Sequence, residues 1–262
     1  MDKSNAQQTK KICFLSPPAE YSMADEWHEF AKQDHFWMKW RFNILQKIIP
    51  KDFIWGKTLE VGCGNGIVMS QIEKYYGCIV SGCDLNISAL RNASSGKGDL
   101  YFYDIDRKYA DFKEEFSTML LFDVLEHMKD PVNFLKSAAF HIKPGGRLII
   151  DVPAFQLFYG RYDRMVGHYK RYDIPSLNKE LRLAGFSIER STYWGLSMVP
   201  LILARKLALC FVSDEQAIKI GFLPDSELVN HILWLLGKCE CALFPKLFLG
   251  TSLLVVAQKS NE

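Results

Sequence analysis

The sequence alternates short apolar runs with stretches of helical periodicity between residues 57 and 152, and this alternation constrains the fold more than any other feature. The apolar runs are predicted strands, at 57–62, 78–84, 100–105, 117–122 and 147–152. The intervening stretches are predicted helices, near 66–76, 87–92, 107–114 and 131–142. Strands that alternate with helices at this spacing are typical of an α/β fold with a doubly wound parallel sheet.

The rest of the chain adds two strands and an insertion. The strands are predicted at 186–193 and 251–259, and the apolar, helical pattern between them indicates an insertion before the last strand. At the other end, residues 1–20 are expected to form a loose polar arm, and 24–49 an aromatic-rich helix. We therefore expect four parts: the N-terminal arm and aromatic helix at 1–50, a core at 51–194, the helical insertion at 195–249, and the last strand with a tail at 250–262.

Charge and cysteine content exclude several classes of protein. The formal net charge is only +2, whereas a nucleic-acid-binding domain would show a strongly basic patch. Seven cysteines occur without a CxxC pair, so no metal site is predicted. The first residues lack the apolar core of a signal peptide, and no run of about 18 uncharged apolar residues indicates a transmembrane helix. We therefore expect a cytoplasmic protein, with peripheral contact to a membrane left open.

A glycine-rich loop, "LEVGCGNG", follows the first predicted strand. Gly62, Gly64 and Gly66 would let the backbone approach a ligand closely, and ligands of open α/β sheets bind beyond the carboxyl ends of the strands. Ile67 stands where a dinucleotide fold would carry its third glycine, and no GxxxxGK[ST] motif occurs. The loop therefore predicts a ligand other than NAD or a nucleoside triphosphate.

Three acids lie at the ends of the first three predicted strands. Glu60 suits an ammonium or sulfonium group, and Asp84 can accept hydrogen bonds from both hydroxyls of a ribose. Asp104 can accept from an exocyclic amine, with the backbone N–H of Ile105 facing a ring nitrogen. A cation, a ribose and an aminated ring around one glycine loop predict an S-adenosylmethionine site.

The motifs "LEVGCGNG", "GCDLN", "YDID", "FDVLEHMKDP" and "KPGGRLIIDVP" resemble those of class I S-adenosylmethionine-dependent methyltransferases, in order and spacing, over residues 55–155. The resemblance implies a Rossmann-like sheet of seven strands in the order 3-2-1-4-5-7-6, with strand 7 antiparallel. It also implies that "FDVLEH" closes over the methionine end of the cofactor. The expected cofactor-binding residues are Glu60, Gly62, Cys63, Gly64, Asn65, Gly66, Asp84, Leu85, Asp104, Ile105, Phe122, Asp123 and His127.

The acceptor side is expected just beyond the fifth strand, in "GHYKRYD". His168 could take a proton from a hydroxyl there, or it could be a histidine of a surface loop. His127 is a second catalytic candidate, or else the polar end of a helical turn. Trp37 of the aromatic helix could line the acceptor pocket or pack against the sheet. Three further side chains are candidates for binding an anionic or sugar-like acceptor: Tyr169, Arg171 and Tyr172.

The predicted activity is methyl transfer to a small-molecule, saccharide or lipid-linked acceptor, with oxygen favoured as the methylated atom. The region after strand 5 resembles bacterial methyltransferases of such acceptors and, more loosely, quinone-biosynthesis O-methyltransferases. N- or C-methylation is the alternative within enzymes. A non-catalytic cofactor-binding protein or a membrane-associated partner protein is the alternative outside them. The 195–249 insertion could form a homodimer face, a hydrophobic pocket wall or an interfacial membrane helix.

Overall fold

A mixed sheet of eight strands runs through the part of the chain that the structure describes. The computed structural model describes residues 11–17, 33–93, 96–209, 226–244 and 246–261. The strands are β1 (Ile12–Phe14), β2 (Thr58–Val61), β3 (Val80–Asp84), β4 (Leu100–Phe102), β5 (Phe116–Phe122), β6 (Ile142–Pro153), β7 (Phe186–Trp194) and β8 (Ser252–Lys259). Their order is β1-β4-β3-β2-β5-β6-β8-β7. Strand β8 is antiparallel to both of its neighbours, and the remaining pairs are parallel.

The order from β4 to β7 is the predicted one. With β2 counted as strand 1, the expected order 3-2-1-4-5-7-6 corresponds to β4-β3-β2-β5-β6-β8-β7, and the antiparallel last strand is confirmed. Strand β1 is a correction, because the sequence predicts a loose arm over residues 1–20. It pairs in parallel with β4, and the ring of Phe14 stacks on that of Phe102 at 5.4 Å. The edge of β4 thus gains a hydrogen-bonded partner strand.

Eight α-helices lie within the described residues. They are α1 (Phe36–Ile48), α2 (Ile67–Tyr76), α3 (Ile87–Arg91), α4 (Pro131–His141), α5 (Arg161–Met165), α6 (Ile174–Leu183), α7 (Val199–Ala208) and α8 (Glu227–Leu243). Four of them begin where the sequence supplies a capping side chain, and in three of these the cap is Asn or Asp. Asn86, Asp130 and Asp173 each accept a backbone N–H from the first turn of α3, α4 and α6. The helix starts are therefore encoded locally.

The predicted helix near 107–114 is wrong. The chain forms two 3-10 turns instead, Ile105–Arg107 and Ala110–Phe112. Between them Lys108 adopts a left-handed conformation with φ of 50°, and the N–H of Tyr109 donates to the hydroxyl of Tyr103 at 2.7 Å. The left-handed conformation of Lys108 interrupts the helix, and the hydrogen bond from Tyr109 to the buried Tyr103 stabilises the two turns.

The sheet separates two apolar layers, and successive residues of β5 point alternately into them. Met119 and Leu121 pack with α4 and α6 on one face. Leu120 and Phe122 pack with α1, α2 and α3 on the other. Helices on both faces of a largely parallel sheet confirm the predicted doubly wound class.

The aromatic helix and the insertion pack against each other. Trp40 of α1 is fully buried, and its ring lies 5.8 Å from that of Trp194. Gly237 of α8 lies so close to the Trp40 ring that a Cβ at that position would collide with the ring. Residues 24–32 of the predicted aromatic helix and 210–225 of the predicted insertion lie outside the described residues. Among the helices that are described, none is long and apolar enough to cross a membrane.

Candidate active site

The glycine loop lies between the ends of β2 and β3 and the segment that follows β5. The N–H of Gly62 donates to the carbonyl of Cys83 at 2.8 Å, and φ at Gly62 is +70°. A Cβ on Gly62 would approach Cγ2 of Val124 to 2.5 Å. Gly64 and Gly66 also have positive φ values, of 51° and 74°. The loop therefore needs glycine both for its backbone and for its contact with the segment after β5.

The carboxylate of Asp84 is oriented by two backbone groups. The N–H of Gly64 donates to Oδ2 at 2.7 Å, and the N–H of Asn86 donates to Oδ1 at 2.8 Å. One of these donors belongs to the glycine loop and the other to the start of α3. Because a carboxylate oxygen can accept more than one hydrogen bond, this orientation is compatible with a ribose beside the loop.

Asp104 lies two residues after β4, next to the end of β3. Its Oδ1 accepts from the N–H of Asp106 at 3.0 Å and so caps the 3-10 turn that begins at Ile105. The N–H of Asp104 donates to Oγ of Ser16, which follows β1. The additional strand thus reaches the site edge, and it helps to hold the acid proposed to bind the adenine amine.

Glu60 is buried at the end of β2, and its Oε2 has no hydrogen-bond partner among the described residues. Burial raises the pKa of this carboxyl to about 8, while the nearby Arg41 acts to lower it. An orphaned buried carboxyl oxygen beside a loop that needs glycine is suited to a cationic ligand. The donors and acceptors present here therefore fit S-adenosylmethionine.

Arg41 is a site residue that the sequence reasoning missed. It projects from α1, its Nη1 donates to Oδ2 of Asp123 at 2.5 Å, and the guanidinium stacks over the ring of Phe122. Asp151 of β6 lies 3.9 Å from the same nitrogen and is fully buried, and its burial raises its pKa. The available signal was the presence of two charged residues inside apolar patterns, Arg41 on a helix face and Asp151 in "RLIIDVP".

Asp123 has strained backbone geometry. It follows β5 directly and adopts φ of 55°, which is uncommon for a residue other than glycine. Its N–H donates to the carbonyl of Asp151 at 3.0 Å. Together with the Arg41 ion pair, this bond fixes the start of the segment expected to close over the cofactor. Strain of this kind is concentrated at functional sites.

His168 is held by a buried carboxylate. Its Nδ1 lies 3.0 Å from Oδ1 of Asp163, and Nε of Arg171 donates to the same oxygen at 2.7 Å. Burial would raise the pKa of Asp163, but its hydrogen bonds from His168 and Arg171 and their charge lower it overall. Asp163 therefore stays ionised and orients the imidazole. It is a second residue that the sequence reasoning missed, although it lies within the basic segment that drew attention to His168.

His127 and Glu126 face His168 from the 3-10 turn after β5. The two imidazole rings are 4.7 Å apart, and burial with the adjacent His168 lowers the pKa of His127 to about 4. Glu126 is almost fully buried, neither of its carboxyl oxygens has a hydrogen-bond partner among the described residues, and burial raises its pKa. One ligand atom from each of these three residues lies within 4.8 Å of the others. The cluster could therefore hold a metal ion as well as a proton.

The four predicted acceptor-binding residues do not lie together. Tyr172 is fully buried, with its hydroxyl 3.3 Å from the carbonyl of Leu125, and Arg171 is engaged with Asp163. Both side chains contact the protein itself and hold the loop, and their contact with an acceptor stays a prediction. Tyr169 is exposed next to His168. Trp37 is partly buried and packs against Trp194, with 4.3 Å between ring centroids.

Comparison with known sequences identifies the family. A family model described as a methyltransferase domain matches residues 21–191, well over half of the chain. A ubiquinone biosynthesis O-methyltransferase of Proteus mirabilis is 29% identical over 118 residues, which cover 42% of this chain and 47% of the relative. The enzyme of the same name from Thiobacillus denitrificans is 32% identical over 142 residues, covering 47% and 60%. The chain thus spans about half of the length of these relatives.

Solved structures share the fold at low sequence identity. A SAM-dependent methyltransferase from Archaeoglobus fulgidus has a TM-score of 0.55 at 16% identity, covering 88% of this chain and 97% of that one. Phosphoethanolamine N-methyltransferase 2 of Haemonchus contortus, in complex with S-adenosylmethionine, has a TM-score of 0.54 at 18% identity, covering 84% and 53%. The chain belongs to the methyltransferase domain family, and its fold is shared with solved structures of S-adenosylmethionine-dependent methyltransferases.

Proposed function

We propose that this enzyme methylates a hydroxyl oxygen of a small-molecule, saccharide or lipid-linked acceptor, with His168 as the general base. The observation that carries the proposal is the Asp163–His168 pair beside the segment after β5. Asp163 engages Nδ1 of the imidazole, so Nε2, which lies 3.9 Å from Oε1 of Glu126, is the nitrogen that would face a substrate. A neutral imidazole with one nitrogen fixed by a carboxylate is suited to accept a proton through the other.

The roles of the residues follow from this arrangement. S-adenosylmethionine, when bound, supplies a methyl group whose transfer to the acceptor oxygen breaks the carbon–sulfur bond and leaves the electron pair on sulfur. His168 accepts the hydroxyl proton at Nε2, and Asp163 stabilises the resulting imidazolium through Nδ1. Glu60, Asp84 and Asp104 hold the cofactor from the strand ends. The largest contribution of the protein is alignment, because bringing the oxygen to about 3 Å from the methyl carbon can remove several kcal/mol of the barrier.

Oxygen is favoured over nitrogen or carbon by two observations. Both sequence relatives named above are O-methyltransferases of ubiquinone biosynthesis. The buried, ionised Asp163 also suits a histidine that becomes positively charged during proton transfer, a role needed for a neutral hydroxyl. An amine acceptor that is already deprotonated would need no such base.

A methyl-transfer screen tests the proposal. The full chain would be incubated with methyl-labelled cofactor and a panel of phenols, catechols, prenylated phenols, saccharides and amines. We expect label in the hydroxylated acceptors, and turnover lowered by about 10²–10⁴-fold in His168→Ala with cofactor affinity unchanged. His231→Ala, which removes an exposed histidine of α8, is the matched control. Label transferred only to amines would contradict the proposal.

Treatment with a chelator distinguishes a proton-transfer role of His168 from a metal-binding role of the Glu126, His127 and His168 cluster. A base mechanism predicts that activity survives extensive treatment with EDTA. Activity that is lost on chelation and restored by a divalent cation would instead assign Glu126, His127 and His168 to metal binding, and His168 would no longer be the base.

A further inference from the structure

Arg205 of α7 is a partly buried base that has no acidic partner in the described part of the chain. Its guanidinium lies over the ring of Tyr162 in α5, 4.1 Å from the ring centroid. Among the described residues, no carboxylate comes within ion-pair distance of Arg205. Burial lowers the pKa of this arginine, so its surroundings work against the charge that it carries. A buried guanidinium without a carboxylate is suited to bind an anion from outside the chain.

The acid next to Tyr162 in the sequence, Asp163, is already engaged by other groups. Its Oδ1 accepts from Nε of Arg171 at 2.7 Å and lies 3.0 Å from Nδ1 of His168. Its Oδ2 accepts from the N–H of Gly160 at 2.9 Å. The one negative charge of Asp163 is therefore balanced by Arg171, and it does not also neutralise Arg205.

Helix α7 is fixed to the segment before His168 by contacts on both sides of Arg205. Nζ of Lys206 donates to the carbonyl of Leu157 at 2.9 Å, and Nη1 of Arg161 donates to the carbonyl of Leu209 at 2.6 Å. The Arg205 guanidinium is thus held in place before any ligand binds, which lowers the entropic cost of binding. A guanidinium that lies over an aromatic ring keeps N–H donors at its edge, and these match the oxygens of a carboxylate or a phosphate.

The position of Tyr162 relates Arg205 to the acceptor side. Tyr162 and Asp163 are consecutive residues of α5, and the first contacts Arg205 while the second holds His168. Burial raises the pKa of Tyr162, the charge of Arg205 lowers it, and the charges of Asp163 and Asp123 raise it further. Tyr162 therefore lies near the end of β5, where Asp123 begins the segment expected to close over the cofactor. Arg205 and His168 flank the same short helix.

We propose that Arg205 binds an anionic group of the acceptor, a carboxylate or a phosphate, while the hydroxyl to be methylated faces His168. The inference rests on the proposed function, because it specifies the acceptor class of the same site. A neutral acceptor would leave the guanidinium without an anion, so this contact discriminates against neutral molecules of similar shape. The first helix of the insertion is then a wall of the acceptor pocket.

Calorimetric titration of the full chain, saturated with S-adenosylhomocysteine, tests the inference without requiring turnover. The carboxylate probe is protocatechuate, with catechol as its neutral analogue, and the phosphate probe is glucose 6-phosphate, with glucose as its neutral analogue. We expect at least one anion to bind about 10–100-fold more tightly than its neutral analogue. The anion that shows this preference identifies which of the two groups the acceptor carries.

Variants of Arg205 show whether this residue causes the preference. Arg205→Gln should abolish it and leave the affinity for S-adenosylhomocysteine unchanged, whereas Arg205→Lys keeps the charge and should retain part of it. Arg182→Gln, in the exposed last turn of α6, is the matched control and should retain all of it. Melting temperatures verify that each variant is folded. Anion binding that persists in His168→Ala separates this inference from the role of His168 as the base.

The acids that follow α7 in the sequence need their own variant. Asp214, Glu215 and Asp225 lie outside the described residues. Replacing all three by their amides should leave anion affinity unchanged. A preference for anions that appears only in this triple variant would assign Arg205 to an internal ion pair and overturn the inference. Equal binding of anionic and neutral probes to the unchanged protein would also overturn it, as would a preference that Arg205→Gln leaves intact.

Discussion

The cofactor side and the acceptor side of this methyltransferase are built in different ways. On the cofactor side, the positioning contacts are made largely by backbone atoms of three adjacent strand ends, as when the N–H groups of Gly64 and Asn86 orient Asp84. On the acceptor side, His168 is held by the side chain of Asp163, and the surrounding groups come from the segment after β5. The cofactor side is therefore encoded by short patterns in the sequence. The acceptor side depends on how one loop packs on another, so it leaves little trace in the sequence.

The largest effect that would sharpen this contrast is expected at Asp163. Asp163→Asn keeps the shape but removes the charge that orients His168 and stabilises its protonated form, so turnover should fall by up to about 10⁴-fold with cofactor affinity unchanged. The measurement is turnover and the pH–rate profile on the acceptor found by the screen. Asp163→Glu should recover part of the activity. A structural role alone would lower the melting temperature in both variants and leave the pH–rate profile of the folded protein in place.

The next largest effect is expected on the cofactor side, at Asp84. Asp84→Ala removes the carboxylate assigned to the ribose hydroxyls and should weaken cofactor binding by about 2–4 kcal/mol, or roughly 30–1000-fold. Calorimetric titration with S-adenosylhomocysteine measures the change. Asp106→Ala, an exposed acid two residues beyond Asp104, is the control and should bind normally. Unaltered affinity in Asp84→Ala would mean that another residue holds the ribose.

A smaller effect is expected in the pH dependence of cofactor binding. The pKa of Glu60 is about 8 without cofactor, so below pH 8 this carboxyl is mostly protonated. A bound cation favours the carboxylate, so binding should release a proton there, and affinity should rise by up to about tenfold per pH unit before it levels off above pH 8. Proton release is measured by calorimetry in buffers of different ionisation enthalpy. In Glu60→Gln the affinity should lose most of this slope, and a retained slope would show that Glu60 is not the group that releases the proton.

The smallest effect compares two glycines with left-handed backbones. Gly62 and Gly77 have φ of 70° and 74°, but a Cβ would meet Val124 at Gly62 and nothing within 4 Å at Gly77. Gly77→Ala should cost about 1 kcal/mol of unfolding free energy from backbone strain alone. Gly62→Ala should cost more, because the added methyl also pushes on the segment after β5. Urea denaturation of both variants measures the difference in unfolding free energy. Equal losses would show that the segment after β5 moves aside without a loss of stability.

Much of the fold could be predicted because its signals are local. Alternating apolar and helical periods, caps such as Asp130 and Asp173, and the glycine loop each occupy a few consecutive residues. The predictions that failed depended on contacts that the apolar and helical periods do not show, one of them long-range and the other only six residues apart. Strand β1 forms because β4 presents an edge nearly 90 residues later in the chain, and the helix near 107–114 is broken by a contact with Tyr103.

The sequence by itself determined the class of the protein and the cofactor, since the chemistry of a glycine loop and strand-end acids is carried by adjacent residues. The order of the sheet from β4 to β7 was implied by the resemblance of its motifs to a known family. Only the tertiary structure decided which charged groups meet. Arg41 reaches Asp123 across 82 positions of sequence, and Glu126 and His127 face His168 across about 40. Such groups are brought together by the packing of whole helices and loops on the sheet. Their interactions depend on separation in space, and no spacing in the sequence encodes it.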